Sequence, residues 1–595
     1  MNKSVLAALS AASALALASC ATMPAGTGEA TAQAPAMSAD AAFEDLGNRY
    51  LAAVAELNPV YATQMGNHAY DSKLPDISPE GRKKANKVTQ GFLAALKTIP
   101  FDQLSPDNQV DYRLLENALK YSLWADDELQ EWAWNPQYYN DIASYSLYGL
   151  VARDFAPWPE RFESIVARME QLPAFLAQAR QQIDVARVPK VHAETVAKQN
   201  AGILAIIESA LLPELDVVTG DERSRFDKAL AGLKLAVAEH QKWLDEVVVP
   251  GAKGDFRLGA DKYDAKMRFA LMSSMTRPQL KARAEAAFKE TRAQMEAVAR
   301  TLPGCDIPGQ QAAIECGLEL TYADRADRDS LEQEARKTLA QSTAFTREKG
   351  FVRMPDGATQ VITMPEFWQG NAVAYLDAPA PLEKHLPAFY AVSPVPESWS
   401  DEQAETFLKE YNISMLHLLS IHEGTPGHAL QLDHSNKHGG LLRAVLGSGP
   451  FVEGWAVYSE RVMAEEGYLG GMETQQGKLF ILSGLKFRLR AIANTLLDIG
   501  IHTEGMSRDD AMKLMMQGAF QQEREAAGKW VRANLSSVQL LSYFTGYAEH
   551  VALREEAKQR WGADFTLRRY HDEVLSHGSP PVKYSRALMF GEAVE

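Results

Sequence analysis

The segment His422-Glu423-Gly424-Thr425-Pro426-Gly427-His428 puts two imidazoles and a carboxylate on one short stretch of chain. Neutral imidazoles are metal ligands, and a carboxylate beside the first can take a proton from water. In the common helical form, HExxH, the histidines stand at i and i+4 on one face. Here they stand at i and i+6, which a regular helix would turn about 120° apart. The residues between them deform a helix. Gly424 and Gly427 permit unusual backbone angles, and Pro426 lacks an amide proton and clashes with the carbonyl of His422. The spacing therefore predicts a helix through 411–421 that bulges or kinks at 424–427, returning His428 towards His422. A helix–loop–helix junction with incidental histidines is the plainer alternative.

Downstream, Gly447, Ser448, Gly449 and Pro450 make a turn, and Phe451–Glu466 reads as a helix stopped by Gly467. Glu453, Val457 and Glu460 share a face at i, i+4 and i+7, so either glutamate can reach a metal held by His422 and His428. With Glu423 as the proton carrier, this is the residue set of a hydrolytic zinc site with one position left for water.

These residues resemble known metallopeptidases. His-Glu…Gly-His-Ala-Leu is similar to the metal helix of carboxypeptidase Taq and related helical oligopeptidases, with two residues inserted. Glu-Gly-Trp-Ala-Val-Tyr-Ser-Glu resembles the segment of gluzincin aminopeptidases that carries the third zinc ligand. That likeness favours Glu453 as the ligand, with Glu460 behind it. The insertion itself, His-Glu-x-x-Pro-Gly-His, resembles the bacterial domain of unknown function 885, whose members are often lipoproteins and are considered zincin-like. Asn58-Pro59…Gly66, Phe256-Arg257-Leu258-Gly259, Ser542-Tyr543-Phe544-Thr545-Gly546 and Tyr570-His571-Asp572-Glu573-Val574-Leu575 look like it as well. The resemblance implies a mainly α, two-lobed, zincin-like metallopeptidase fold. It points to Tyr543 or His571 as the donor that steadies an oxyanion.

The rest of the chain agrees with a helical class. Helical periods run through Ala39–Glu56, 107–124, 159–185, 192–211, 224–247, 277–301 and 330–349, and resume at 401–419, 473–501, 507–531, 538–561 and 566–577. Three β-prone runs, at 361–363, 372–376 and 388–392, precede the metal motif. They predict a small sheet beside the metal helix, serving either as an edge for an extended substrate or as a cover for the core. A boundary near 270 separates an N-terminal helical lobe, 39–270, from a metal-binding lobe, 271–595.

The N-terminus reads as an export signal. Lys3, the apolar run Val5–Ala18 and Leu17-Ala18-Ser19-Cys20 make residues 1–20 a lipoprotein leader, with lipid attached at Cys20. Ala21 after the cysteine favours the outer membrane, facing the periplasm. Residues 21–38 read as a flexible tether. A net charge of −16 argues against nucleic acid as a partner. Cys305 and Cys316 are expected to pair in an oxidising compartment.

The expectation is thus an exported zinc hydrolase cleaving short peptides, with His422, His428 and Glu453 on the metal and Glu423 as base. Two alternatives remain: a zinc amidase acting on a non-peptide envelope component or small metabolite, and a non-catalytic scaffold or binding lipoprotein on a degenerate peptidase fold.

Overall fold

The computed structural model describes residues 37–364 and 373–595. The leader 1–20, Cys20 and nearly all of the tether lie outside the described residues, as does Ala372 of the second β-prone run.

The fold is mainly α, and its helices begin where local chemistry starts them. Ser105 accepts from Asn108 N at 3.3 Å, and Pro106 fills the first turn of the helix Pro106–Trp124. Ser448 likewise accepts from Phe451 N at 3.3 Å ahead of Pro450, opening the helix Gly449–Glu465. Thr474 caps the long helix Gln475–Glu504, which ends on Gly505 in the left-handed region. Three runs read as continuous are broken: 401–419 at Tyr411–Asn412, 192–211 at Asn200–Ala201, and 507–531 between Gly518 and Gln522.

Three strands, β1 (Thr359–Thr363), β2 (Ala374–Asp377) and β3 (Ala388–Val392), form a mixed sheet in the order β1-β3-β2. β1 runs parallel and β2 antiparallel to β3, with Leu376 opposite Tyr390. β2 is therefore an edge strand.

A large apolar core surrounds the segment His422–His428 and includes Leu416, Ile421, Trp455, Tyr458, Phe480 and Tyr570. A second core holds the helices between 139 and 248 together. The expected boundary near 270 is crossed at several points. Leu442 packs with Phe43 and Tyr112, Tyr584 with Val110 and Leu114, and the Tyr263 hydroxyl donates to Asp498. Residues 39–595 form one compact unit. Cys305 and Cys316 form a disulfide. Among the described residues, no helix is long and apolar enough to cross a membrane.

The helices Gly449–Glu465 and Ser542–Trp561 cross at two glycines. A Cβ on Gly454 would stand 2.2 Å from the carbonyl carbon of Gly546, and one on Gly546 1.7 Å from the oxygen of Pro450. Only glycine admits this approach, and it sets Tyr543 beside the helix that carries Glu453.

Candidate metal centre

The helix Ile413–Leu419 widens into a π turn at Ser420–Gly424, leaves helical geometry, and resumes as His428–Lys437. The distortion thus begins four residues ahead of the expected 424–427. π turns inside helices recur at functional sites. Gly427 N donates to Ile421 O at 2.9 Å, and a Cβ there would lie 2.1 Å from His422 O. The Thr425–Pro426 peptide is cis. The neighbouring helix clamps the insertion, because Trp455 Nε1 donates to Pro426 O at 2.9 Å and Ser459 Oγ at 3.3 Å. The two imidazoles are thereby brought to 4.7 Å between ring centroids, nearly perpendicular.

Glu453 and Glu460 divide the work on this pair. Glu453 Oε2 stands 3.7 Å from His422 Nε2 and 3.5 Å from His428 Nε2. One ligand atom from each of the three residues lies within 4.8 Å of the others. These are not hydrogen-bond lengths. They approach the separation of about 3.3 Å between donors that share a tetrahedral ion with 2.0–2.1 Å bonds. Glu460 instead binds the back of the first ring, its Oε1 accepting from His422 Nδ1 at 2.7 Å, which turns Nε2 towards Glu453.

The charges at this point are tightly coupled. Burial pulls the His422 imidazole down, but the carboxylates of Glu453, Glu460 and Glu423 carry it well above its usual pKa. Burial raises Glu453, and the two imidazoles more than reverse this, holding it far below the carboxylate range. Burial raises Glu460. An ionised, buried carboxylate facing two imidazole nitrogens fits a divalent ion.

Glu423 is 8% exposed, and its Oε2 accepts from Leu376 N of β2 at 2.9 Å. Among the described residues its Oε1 has no partner. His422, Glu423 and Tyr543 all line one cleft of about 830 Å³. Tyr543 Oη accepts from Arg532 Nη2 at 3.2 Å, which leaves its own proton free to donate. Burial, then the charge of Glu453, raises its pKa, so the hydroxyl keeps that proton.

The structure does not bring His571 to the cleft. It is 1% exposed, its Nδ1 donates to Phe351 O at 2.7 Å, and its Nε2 accepts from Tyr458 Oη at 2.8 Å. With both nitrogens committed in the core, it serves packing; its helix face alone did not distinguish core from cleft. His550 donates to Phe451 O at 3.0 Å, and Tyr547 Oη accepts from Arg461. His434 donates to Arg353 O at 2.8 Å from within a helix. Asp498 takes Tyr263 Oη and Val538 N, with no role at the centre.

Sequence reasoning missed Leu376, whose contribution is a backbone amide with no side-chain signal. It also missed Lys529 and Arg532, which line the cleft from the helix Glu523–Leu535. Their spacing with Glu525, at i, i+4 and i+7, was an available sign of a shared face.

Comparison with known proteins bears on this arrangement. Residues 59–589 match the family described as "Bacterial protein of unknown function (DUF885)". The chain belongs to the DUF885 family. A solved structure from Shewanella oneidensis, described as a candidate lipoprotein of unknown function, superposes with a TM-score of 0.78 at 34% identity, covering 92% of this chain and 99% of that one. Another, from Colwellia psychrerythraea and also described as a candidate lipoprotein, gives 0.77 at 17% identity over 92% and 99%. No curated protein matches. The insertion between His422 and His428, which resembles this DUF885 family, is thus seen here with its clamp.

Proposed function

We propose that this DUF885 protein is an envelope-anchored, zinc-dependent hydrolase that cleaves amide bonds in short peptides on a zincin-like scaffold. One observation carries the reading: one ligand atom each of His422, His428 and Glu453 lies within 4.8 Å of the others, and His422 lines a cleft together with Glu423. Two imidazoles and one carboxylate are a donor set of hydrolytic zinc. Bound there, the ion supplies Lewis acidity towards water and the scissile carbonyl.

The chain's own residues do the rest. Leu376 N–H occupies Glu423 Oε2, so Oε1 is the atom that accepts a proton from the attacking water and passes it to the leaving nitrogen. Tyr543 donates its hydroxyl proton to the developing oxyanion, held in aim by Arg532. β2, the edge strand next to Glu423, suits an extended peptide substrate. The leader and Cys20, with two relatives described as candidate lipoproteins, support anchoring at the cell envelope. Ala21 favours the outer membrane, facing the periplasm.

The test is metal content together with Glu423→Gln, which keeps size and removes the base. The variant is expected to hold stoichiometric zinc while hydrolysis falls by at least about 100-fold. Wild-type turnover in Glu423→Gln sinks the mechanism. A peptide pool left intact while other amides are cleaved moves the assignment to an amidase, and a protein that takes up no metal is a scaffold.

A further inference from the structure

The charges of the cleft do not balance. The chain as a whole is acidic, at −16, yet the cleft is lined by Arg490, Arg524, Lys529 and Arg532. Among the described residues only Arg490 of these has a carboxylate within 4.0 Å, namely Glu525. Two of the cleft's anions have partners of their own, while Glu423 accepts from Leu376 N. Glu410 pairs with Lys486 at 2.8 Å, and Glu525 also accepts from Tyr411 Oη at 2.8 Å.

Lys529 is the extreme case. It is 5% exposed and lines the cavity, and its ammonium makes no hydrogen bond and no ion pair among the described residues. Burial, with the charges of Arg490 and Arg532, pushes its pKa well below the lysine value, and Glu525 and Glu453 pull only partly back. Arg532 gives one N–H to Tyr543 Oη and one to Gln539 Oε1 at 3.1 Å, neither of them an anion. An unmatched buried cation is costly to a fold. At the wall of a cleft it becomes favourable once a ligand supplies the missing anion.

We propose that Lys529, with Arg532 beside it, is a carboxylate-binding subsite, so that the substrates are short peptides held by a free carboxylate near the scissile amide. This rests on the hydrolase reading for the word substrate, while the subsite itself can be tested without turnover. The C-terminus of a peptide and an acidic side chain offer the same group, and the probes below separate them.

Calorimetric titration of the full chain, metal-loaded and metal-free, compares N-acetylphenylalanine with its amide. The metal-free arm removes coordination by the ion as a source of preference. The acid is expected to bind at least about 10-fold tighter than the amide in both forms. Lys529→Met is expected to erase the preference, and Lys529→Arg to retain it. N-acetylglutamate α-amide, whose carboxylate is on the side chain alone, is expected to bind like the amide. If it binds like the acid, the subsite stands and reads side chains. Lys529→Met should keep or raise Tm, because it removes an unmatched charge. A lower Tm, or a variant that does not fold, assigns Lys529 to the structure and overturns the proposal. Equal affinity for acid and amide in the wild type overturns it as well, whatever the variants do. Preference for the acid in a protein that cleaves no amide keeps the subsite and rejects the peptidase; cleavage without preference does the opposite.

Discussion

Arg443 and Lys529 are both buried cations, and their surroundings are opposite. Arg443 is fully buried where the helix Pro106–Trp124 meets the segments around 440 and 577. Its Nε donates to Asp111 at 2.7 Å, Nη1 to Asp107 at 2.9 Å and to His577 O at 3.1 Å, and Nη2 to Asp107 O at 2.6 Å. Among the described residues Lys529 has no such partner. The same division runs through the histidines. His571 uses both ring nitrogens, whereas His428 turns its Nε2 to within 3.5 Å of Glu453, and its buried Nδ1 has no partner among the described residues, as is also so for His502 and His550. A saturated polar group holds elements together. A group left open at the wall of a cleft is available to something from outside the protein.

The largest effect should come from the open cluster. Glu453→Ala is expected to abolish stoichiometric zinc and all hydrolysis with it. Glu460→Ala, which only frees His422 Nδ1, should weaken metal affinity by about 10–100-fold. Competition with a chromogenic chelator measures both. The reverse order would make Glu460 the ligand and rotate the helix Gly449–Glu465 from its position here.

The saturated knot should answer in stability instead. Arg443→Met leaves Asp111, 4% exposed, as a buried carboxylate without its cation, and is expected to cost about 3–5 kcal/mol in urea unfolding. Hydrolysis per folded molecule should stay near the wild-type value. With Lys529→Met losing nothing in the same assay, the contrast would stand as two signs of one substitution. Equal losses at both positions would erase it.

Much of the frame was legible in local chemistry, because caps and breakers act over a few residues. The helix expected over 107–124 opened on Ser105-Pro106, Gly467 closed another, and the three β-prone runs became three strands. The interruptions at Tyr411–Asn412 and Asn200–Ala201 were not legible. Asn412 caps a new helix by accepting from Met415 N at 3.2 Å, a signal that the surrounding apolar period hides. In the centre, the i, i+6 insertion announced its own distortion, and Glu453 stood on a readable face. The β2 amide and the cations of 523–535 lie far away in sequence, and only packing turns them to the cleft. His571 failed for the complementary reason: its motif named the residue, and the direction it faces is a tertiary property.

His571 also gives the smallest effect and a check on sign. Burial holds its pKa down at about 4, with Arg554 adding to this and the Phe351 carbonyl opposing it. An unfolded histidine titrates near about 6.5. The unfolded chain therefore binds the proton first as pH falls, so this contribution to stability is complete above about 6.5 and is lost down to about 4. His571→Phe keeps the ring volume but strands the Tyr458 hydroxyl and the Phe351 carbonyl. At pH 7.5 it should cost about 1–3 kcal/mol. Near pH 4.5 the gap should shrink, because only the wild type then suffers from a ring that must stay neutral. Urea midpoints across that range read the crossing, and kcat/KM at neutral pH should change little. A fall of about 100-fold in kcat/KM, the scale of a lost acid–base or oxyanion group, with stability unchanged at every pH, would put His571 in the cleft after all. The division between saturated and open histidines would then fail at its clearest example.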